Sequence, residues 1–369
     1  VIPSGKALRA NTSRSKASVY TFLYNILRYR IVTIVVATLF ALIFVSITLL
    51  LVKANPLQAL WLMVRGAFYN LPMVAGVIQV WIPLTLVTCG LMFTFTAGLW
   101  NIGMEGQITL GAIFCYGIVL IFMPTNVPSW LVFLLATLAG AVGGMLWAML
   151  VGSLRIYLNV NEIFGGLGLN FIAEAIMLYL VMGPWSPEST ASGSTDMLPE
   201  RFRLPGIFNT GLNPWALLIA ILAVVATYFI LKGTYFGLKL NAVGKNKKAA
   251  FTMGIPTARY MMLAFLFCGI FAGLTGSFQV IGFRYLLRNN ISGGYGYLGL
   301  LVGMLSNYHP LIGAPIALLF SIVNKGGNSL NTDMHLDSSV AGVFQGALLL
   351  FVLMFNGIRK YVMKVVEGG

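Results

Sequence analysis

Apolar residues run along this chain in blocks too long for one face of a soluble helix. Residues 31–52 contain no charge over 22 positions and residues 260–283 none over 24. At about 1.5 Å of rise per residue, either block crosses a hydrocarbon core of ~30 Å. Comparable segments fall at 73–97, 102–123, 129–152, 163–183, 214–231, 293–306, 311–324 and 340–357. The pattern predicts an all-α polytopic membrane protein with about ten transmembrane helices. Residues 57–69 (LQALWLMVRGAFY) are interrupted by Gln58 and Arg65 and read as a short interfacial helix. The segments 293–306 and 311–324 hold 14 residues each and are rich in glycine. That length gives about 21 Å of helix. They form either a re-entrant hairpin or two broken helices, because non-helical backbone at membrane depth needs a protein or aqueous lining.

Composition agrees with this pattern. Hydrophobic residues make up 59% of the 369 and charged residues 9%, with a mean hydropathy of +0.89. Soluble domains carry roughly 25% charged residues. The net charge of +14 does not indicate nucleic acid, because the basic residues cluster in short segments between apolar spans. Lys6, Arg9, Arg14, Lys16, Arg28 and Arg30 precede the first span without an acid among them. With ten crossings, Arg155, the 232–259 loop and the tail with Arg359, Lys360 and Lys364 share their side. This excess places both termini in the cytoplasm. The organisation is a basic N-terminal segment (1–30), a transmembrane domain (31–357) and a cytoplasmic tail (358–369). Within the domain lie an external loop (184–212) and a cytoplasmic loop (232–259). The external loop, rich in Pro, Ser and Gly, is a landing site for an external partner. Cys89, Cys115 and Cys268 lie in apolar segments without a CxxC pair and read as buried hydrophobes. Most tryptophans lie near span ends, as in interfacial belts.

The polar residues inside this apolar chain carry the candidate chemistry. GLWNIGMEGQ (98–107) breaks a hydrophobic hairpin with Asn101, Glu105 and Gln107. Counting about 20 residues inward from the external end of the preceding span puts these three near the cytoplasmic membrane face. There Glu105 either stabilises the N-terminus of its own helix or forms a polar gate, and the two roles are compatible. Glu162 follows Asn159 and Asn161 and reads as part of a cap. Gly166, Asn170 and Glu174 share one helical face. An ionised carboxylate facing lipid is costly, so that face points into the bundle. Glu174 is then either a protonated, hydrogen-bonded group or part of the pathway lining. Asp333, His335 and Asp337 (DMHLD) sit in a short loop as solvated residues, and no metal site is assigned.

The cytoplasmic loop 232–259 has its own local signals. Asn246 reads as an N-cap, Lys247, Lys248, Ala249, Ala250 and Met253 as part of two helical turns, Gly254 as a left-handed terminator and Pro256 as the stop. Ala249 and Ala250 lack bulk and would let another protein approach closely. The competing reading is a basic loop attracted to anionic lipid.

Several motifs in order resemble one family. LNAVGKNKKAAFTMGI (240–255), GLWNIGMEGQ (98–107), NVNEIFGGLGLNFIA (159–173) and GYGYLGLLVGMLSNYHPLIGA (294–314) are similar to segments of bacterial ABC-importer permeases of the simple-sugar and branched-chain amino-acid superfamily. NPLQALWLMVRGAF (55–68) is similar to its nucleoside-uptake branch, as is the stretch leading into GLWNIGMEGQ. The resemblance implies a multi-pass subunit of the bacterial inner membrane. It also implies a second homologous permease subunit, a cytoplasmic ATPase with two nucleotide-binding domains and an extracellular substrate-binding lipoprotein. ATP and Mg would be bound by the ATPase, since GxxxxGK[ST] is absent here. The short helix from Asn246 to Met253 would be the coupling helix. The cargo would be nucleosides, with simple sugars as the alternative. An ion-coupled secondary transporter is the rival class, with Glu105 and Glu174 as its candidate coupling acids. An enzyme is a poorer fit, since HExxH and GxSxG are absent and the two histidines fall in different loops.

Overall fold

The structure, a computed structural model, describes residues 30–187, 193–207, 210–334 and 339–367. Among these the chain is built from α-helices, with only isolated bridges at Ser194–Arg288 and Ile207–Leu212 in place of strands. The helices are α1 (Arg30–Leu51), α2 (Pro56–Phe68), α3 (Leu71–Thr96), α4 (Met104–Phe122), α5 (Ser129–Ile156), α6 (Glu162–Met182), α7 (Pro214–Gly233), α8 (Tyr235–Lys245), α9 (Lys247–Thr252), α10 (Thr257–Phe278), α11 (Tyr295–Leu305), α12 (Pro310–Met334) and α13 (Ser339–Glu367). Eight of them are long and apolar enough to cross a membrane, or nine if the bent pair α1–α2 counts as one span. The protein is therefore a multi-pass membrane protein.

Short polar residues set where the helices begin. Asn70 accepts the Met73 N–H at 3.0 Å, and Asn213 accepts that of Ala216 at 2.9 Å. Each is followed by a proline in the first turn of α3 or α7, where a missing N–H costs nothing. Asn161 does the same for α6, accepting from Ile163 at 2.9 Å. Glu162 pairs with Arg155 at 2.9 Å and ties the ends of α5 and α6 together.

The chain divides into two units. In residues 67–325, α3 is buried along most of its length. Helices α5 and α10 cross at Gly140, Gly144, Gly269 and Gly273, where an added Cβ at Gly144, Gly269 or Gly273 would strike the opposing backbone and one at Gly140 the Ser277 hydroxyl. Small residues of this kind let membrane helices approach through their backbones. In the other unit, residues 1–66 and 326–369, Phe40 of α1 lies 6.0 Å from Phe351 and 5.1 Å from Phe355 of α13. Helix α2 is the short helix expected over 57–69. Its axis turns by 111° from that of α1.

All ten apolar segments are helical, but two have unexpected lengths. The 293–306 segment yields only the 11 residues of α11, about 16 Å of helix and too short to cross. The 311–324 segment lies within a helix of 25 residues, α12, which continues through polar positions that the apolar count left out. Asn307 and Tyr308 turn the chain between them with φ of 52° and 61°. Contacts of Gly299 with Val87 and of Gly303 with Phe95 set α11 parallel to α3. Contacts of Gly313 with Thr88 and of Gly76 with Lys325 set α12 antiparallel to it. The pair is thus a half-length helix followed by a full-length return.

Candidate functional site

The break between α3 and α4 is where the polar residues gather. Gly98, at φ +74°, turns the chain back, and Leu99 N–H donates to Thr94 O at 2.9 Å. Asn101 and Gln107 are then fully buried. Asn101 Nδ2 donates to Gln107 Oε1 at 3.1 Å, and Gln107 Nε2 donates back to Asn101 Oδ1 at 3.1 Å. Asn101 Nδ2 also reaches Cys268 Sγ at 3.1 Å. Cys268 lies about three turns into α10 from Thr257. Asn101 and Gln107 therefore sit among packed helices rather than on the surface of the bundle. After Gly98 the backbone re-enters the bundle, and α4 begins inside it.

Neighbouring helices cap the helix ends left buried by this break. Asn170 of α6 accepts the Gly106 N–H at 2.9 Å and donates to Ile102 O at 2.9 Å, so it supplies the cap that α4 lacks from its own N-cap residue, Gly103. Glu105 does not serve its own helix. Its Oε1 accepts the N–H of Tyr297, in the first turn of α11, at 3.1 Å. The Gly296 N–H and the Ser292 side chain add hydrogen bonds to the same carboxylate. Glu174 Oε1 accepts the Asn290 N–H at 3.0 Å. The expected inward face of α6 is borne out: Gly166 and Asn170 are buried, and Glu174 is half-buried against this segment. A buried N–H without a partner costs free energy, so these side chains allow the backbone to be broken at depth. The five predicted pathway residues thus fall into two groups. Asn101 and Gln107 bond each other, while Glu105, Asn170 and Glu174 hold the ends of α4 and α11 and the segment between α10 and α11.

The cytoplasmic-loop expectations separate in the same way. Asn246 accepts the Ala249 N–H at 3.0 Å and caps α9, and Gly254 ends it at φ +80°. Lys247, Lys248, Phe251 and Met253 are exposed. Ala250 is not on that surface. It is 2% exposed and packs with Leu240, Val243, Met261 and Phe265, which corrects its expected place on a close-approach face. Its small size serves the chain's own packing. Helix α8 was missed because Leu240 and Val243 are its only large buried apolar residues among lysines and glycines. Thr234, which accepts the Gly237 N–H at 3.2 Å, was the legible signal. Gly244 of α8 sits directly against Gly98, where a Cβ on Gly98 would lie 3.0 Å from Gly244 O. Phe251, 70% exposed, was also missed, since an aromatic in an amphipathic turn reads first as core. His335 and Asp337 lie outside the described residues. Asp333 is exposed.

Comparison with known proteins decides what kind of machine has this architecture. Residues 73–353 match the family described as the branched-chain amino acid transport system permease component. The chain belongs to this permease family. It is 29% identical over 290 residues to the glucose ABC transporter permease protein TsgB13 of Haloferax volcanii, covering 76% of each chain. It is 26% identical over 322 residues to the guanosine ABC transporter permease protein NupP of Bacillus subtilis, covering 86% of this chain and 90% of that one. NupQ, a second guanosine permease protein of the same bacterium, is 29% identical over 258 residues, 66% of this chain and 77% of its own. As a member of this family, the chain is a membrane transport subunit.

Proposed function

We propose that this permease is one membrane subunit of a heteromeric ATP-binding-cassette importer of the bacterial inner membrane, carrying nucleosides inward by alternating access. The observation that carries the reading is a continuous packed route from an exposed helix to a broken one. Helix α9 offers Lys247, Lys248, Phe251 and Met253 to a partner and rests on α8 through Ala250. Helix α8 touches the turn at Gly98, three residues before Asn101. From there Glu105 holds the first turn of α11. A push on α9 is thereby delivered to a half-length helix, the kind of element from which transporters build their pathways.

In this reading both termini and α9 face the cytoplasm. The pusher is an ATPase with two nucleotide-binding domains that binds ATP and Mg. A second, homologous permease completes the pathway, as the resemblance to both NupP and NupQ supports, and an extracellular lipoprotein delivers cargo. The similarity to TsgB13, a glucose permease protein, favours simple sugars as the second reading. The test is uptake by proteoliposomes holding both permeases, the ATPase and the binding protein. ATP-dependent accumulation of uridine or guanosine is expected, and accumulation of glucose alone would favour the sugar reading. Accumulation against a gradient by this subunit alone, without an ATPase, would sink both and favour an ion-coupled carrier.

A further inference from the structure

Between α10 and α11 the chain is neither helix nor loose loop. After the π-helical turn Gln279–Arg284, Tyr285, Asn290, Gly293 and Gly294 all take positive φ, a conformation that costs a non-glycine residue energy and gathers at functional sites. Residues 193–198 clamp this segment. Leu198 N–H donates to Tyr285 O at 2.7 Å, Thr195 N–H to Leu287 O at 2.8 Å and Asn289 N–H to Gly193 O at 3.2 Å. The Thr195 hydroxyl in turn accepts the Leu287 N–H at 3.0 Å. On the backbone fixed by these bonds, Arg284 and Arg288 line a cavity of about 120 Å³ together with Gln279, Asn290, Tyr295 and Asn324.

We propose that this cavity is an oxyanion site that takes a phosphate or carboxylate group. Both guanidiniums are permanently charged and only donate hydrogen bonds. The ion pair found among the described residues joins Arg155 to Glu162, so neither Arg284 nor Arg288 has a carboxylate partner there. Glu174 and Glu105, the acids that bond this part of the chain, accept from the backbone N–H groups of Asn290 and Tyr297. Neither of them lines the cavity, and no other acid does. Two like charges facing one small space repel, and more strongly as bulk water is excluded. A bound anion removes that repulsion and gives each guanidinium an acceptor. The remaining lining fits the same ligand. The amides of Gln279, Asn290 and Asn324 and the Tyr295 hydroxyl add neutral donors, and arginine forks match carboxylate and phosphate oxygens two at a time. A cation would meet repulsion here, and a neutral solute would leave both charges uncompensated. Sites for drug-sized ligands measure roughly 300–1,000 Å³, so this smaller cavity takes one charged group. Both arginines are exposed, which leaves the ion a way in. Because the same backbone is bonded to residues 193–198 and to Glu174, filling the cavity stiffens the link between α10 and α11. The inference is independent of which solute the importer carries.

The test uses the whole permease chain, purified in a sugar-headed detergent. Cys89, Cys115 and Cys268 are all buried, so Asn324→Cys supplies an accessible thiol in the cavity wall. Its labelling by uncharged N-ethylmaleimide is followed with inorganic phosphate, acetate, uridine, or potassium chloride at matched ionic strength. Phosphate or acetate at about ten times its Kd is expected to slow labelling about tenfold, as mass action requires of an occupied site. Equal slowing by chloride would mean that salt screening is the cause and overturns the proposal. Slowing by uridine alone, or by nothing, overturns it as well. Arg284→Gln and Arg288→Gln, both at exposed positions, are then made one at a time in the same background. Each should need several-fold more phosphate for the same protection, and no change in either variant overturns the assignment to the two arginines. The source of the anion is read in phosphatidylglycerol vesicles without added phosphate. Slow labelling there identifies a lipid headgroup as the occupant, and fast labelling that added phosphate slows identifies a soluble one.

Discussion

At the scale of single residues, the polar positions of this chain act mainly as partners for broken backbone. Glu105 accepts N–H groups from the first turn of α11, and an acceptor is what that turn needs. Glu105→Ala leaves those buried donors without a partner and is expected to cost about 1–3 kcal/mol. Glu105→Gln keeps an oxygen in place and should lose less than half as much. Thermal unfolding of the purified permease separates the two, and equal losses would mean that charge, not hydrogen bonding, is what the site requires. Asn170, the cap that α6 lends to α4, predicts the same ordering on other grounds. Asn170→Leu removes both of its hydrogen bonds and should lower the unfolding midpoint, while the exposed neighbour change Phe171→Leu should not. The sequence made these residues conspicuous, since two carboxylates and three amides inside apolar blocks require an explanation. Their partners were not legible. Tyr297 lies 192 positions from Glu105, and only the packing of α4 against α11 brings them together.

At the scale of elements, the apolar blocks and the caps were sufficient to find most helices. Desolvation of the backbone leaves a long apolar segment little choice but to be helical, and Asn70, Asn161, Asn213 and Asn246 mark four starts by side-chain chemistry. Elements whose burial comes from tertiary contact escaped. Helix α8 is polar by count yet seats Leu240 and Val243 in the core, and α12 runs on past Asn324 and Lys325. The crossing of α5 and α10 gives the element-level prediction. A side chain at Gly144 would collide with the backbone of Gly269 and Gly273, whereas one at Gly168 meets nothing within 4 Å. Gly144→Leu must therefore push two helices apart, at a cost of at least about 1–3 kcal/mol. It should sharply reduce the folded yield from membranes. Gly168→Leu carries the same chemistry and should leave that yield unchanged, and a similar loss from both would show that the crossing is not tightly packed.

At the scale of the whole molecule, the useful distinction is between residues that hold α9 in the fold and residues that α9 leaves exposed. Both kinds occur side by side in α9. Ala250 is buried among Leu240, Val243 and Phe265, whereas Phe251 turns its ring outward. Ala250→Leu overfills that packing and is expected to destabilise the arm by about 1–3 kcal/mol, visible as earlier unfolding of the isolated permease. Phe251→Ala removes an aromatic that is exposed in this chain, so its own unfolding should not move. If Phe251 seats in a partner ATPase, its loss forfeits about 1.5–3 kcal/mol of burial, and association should weaken by at least roughly tenfold. Uptake would fall with that association. The pair separates folding from coupling, because one variant changes stability and the other changes affinity. If instead Phe251→Ala leaves both the ATPase affinity and uptake intact while Ala250→Leu reduces both, the arm acts only as part of the fold. The route from α9 through Gly244 to Asn101 would then have no pusher at its outer end.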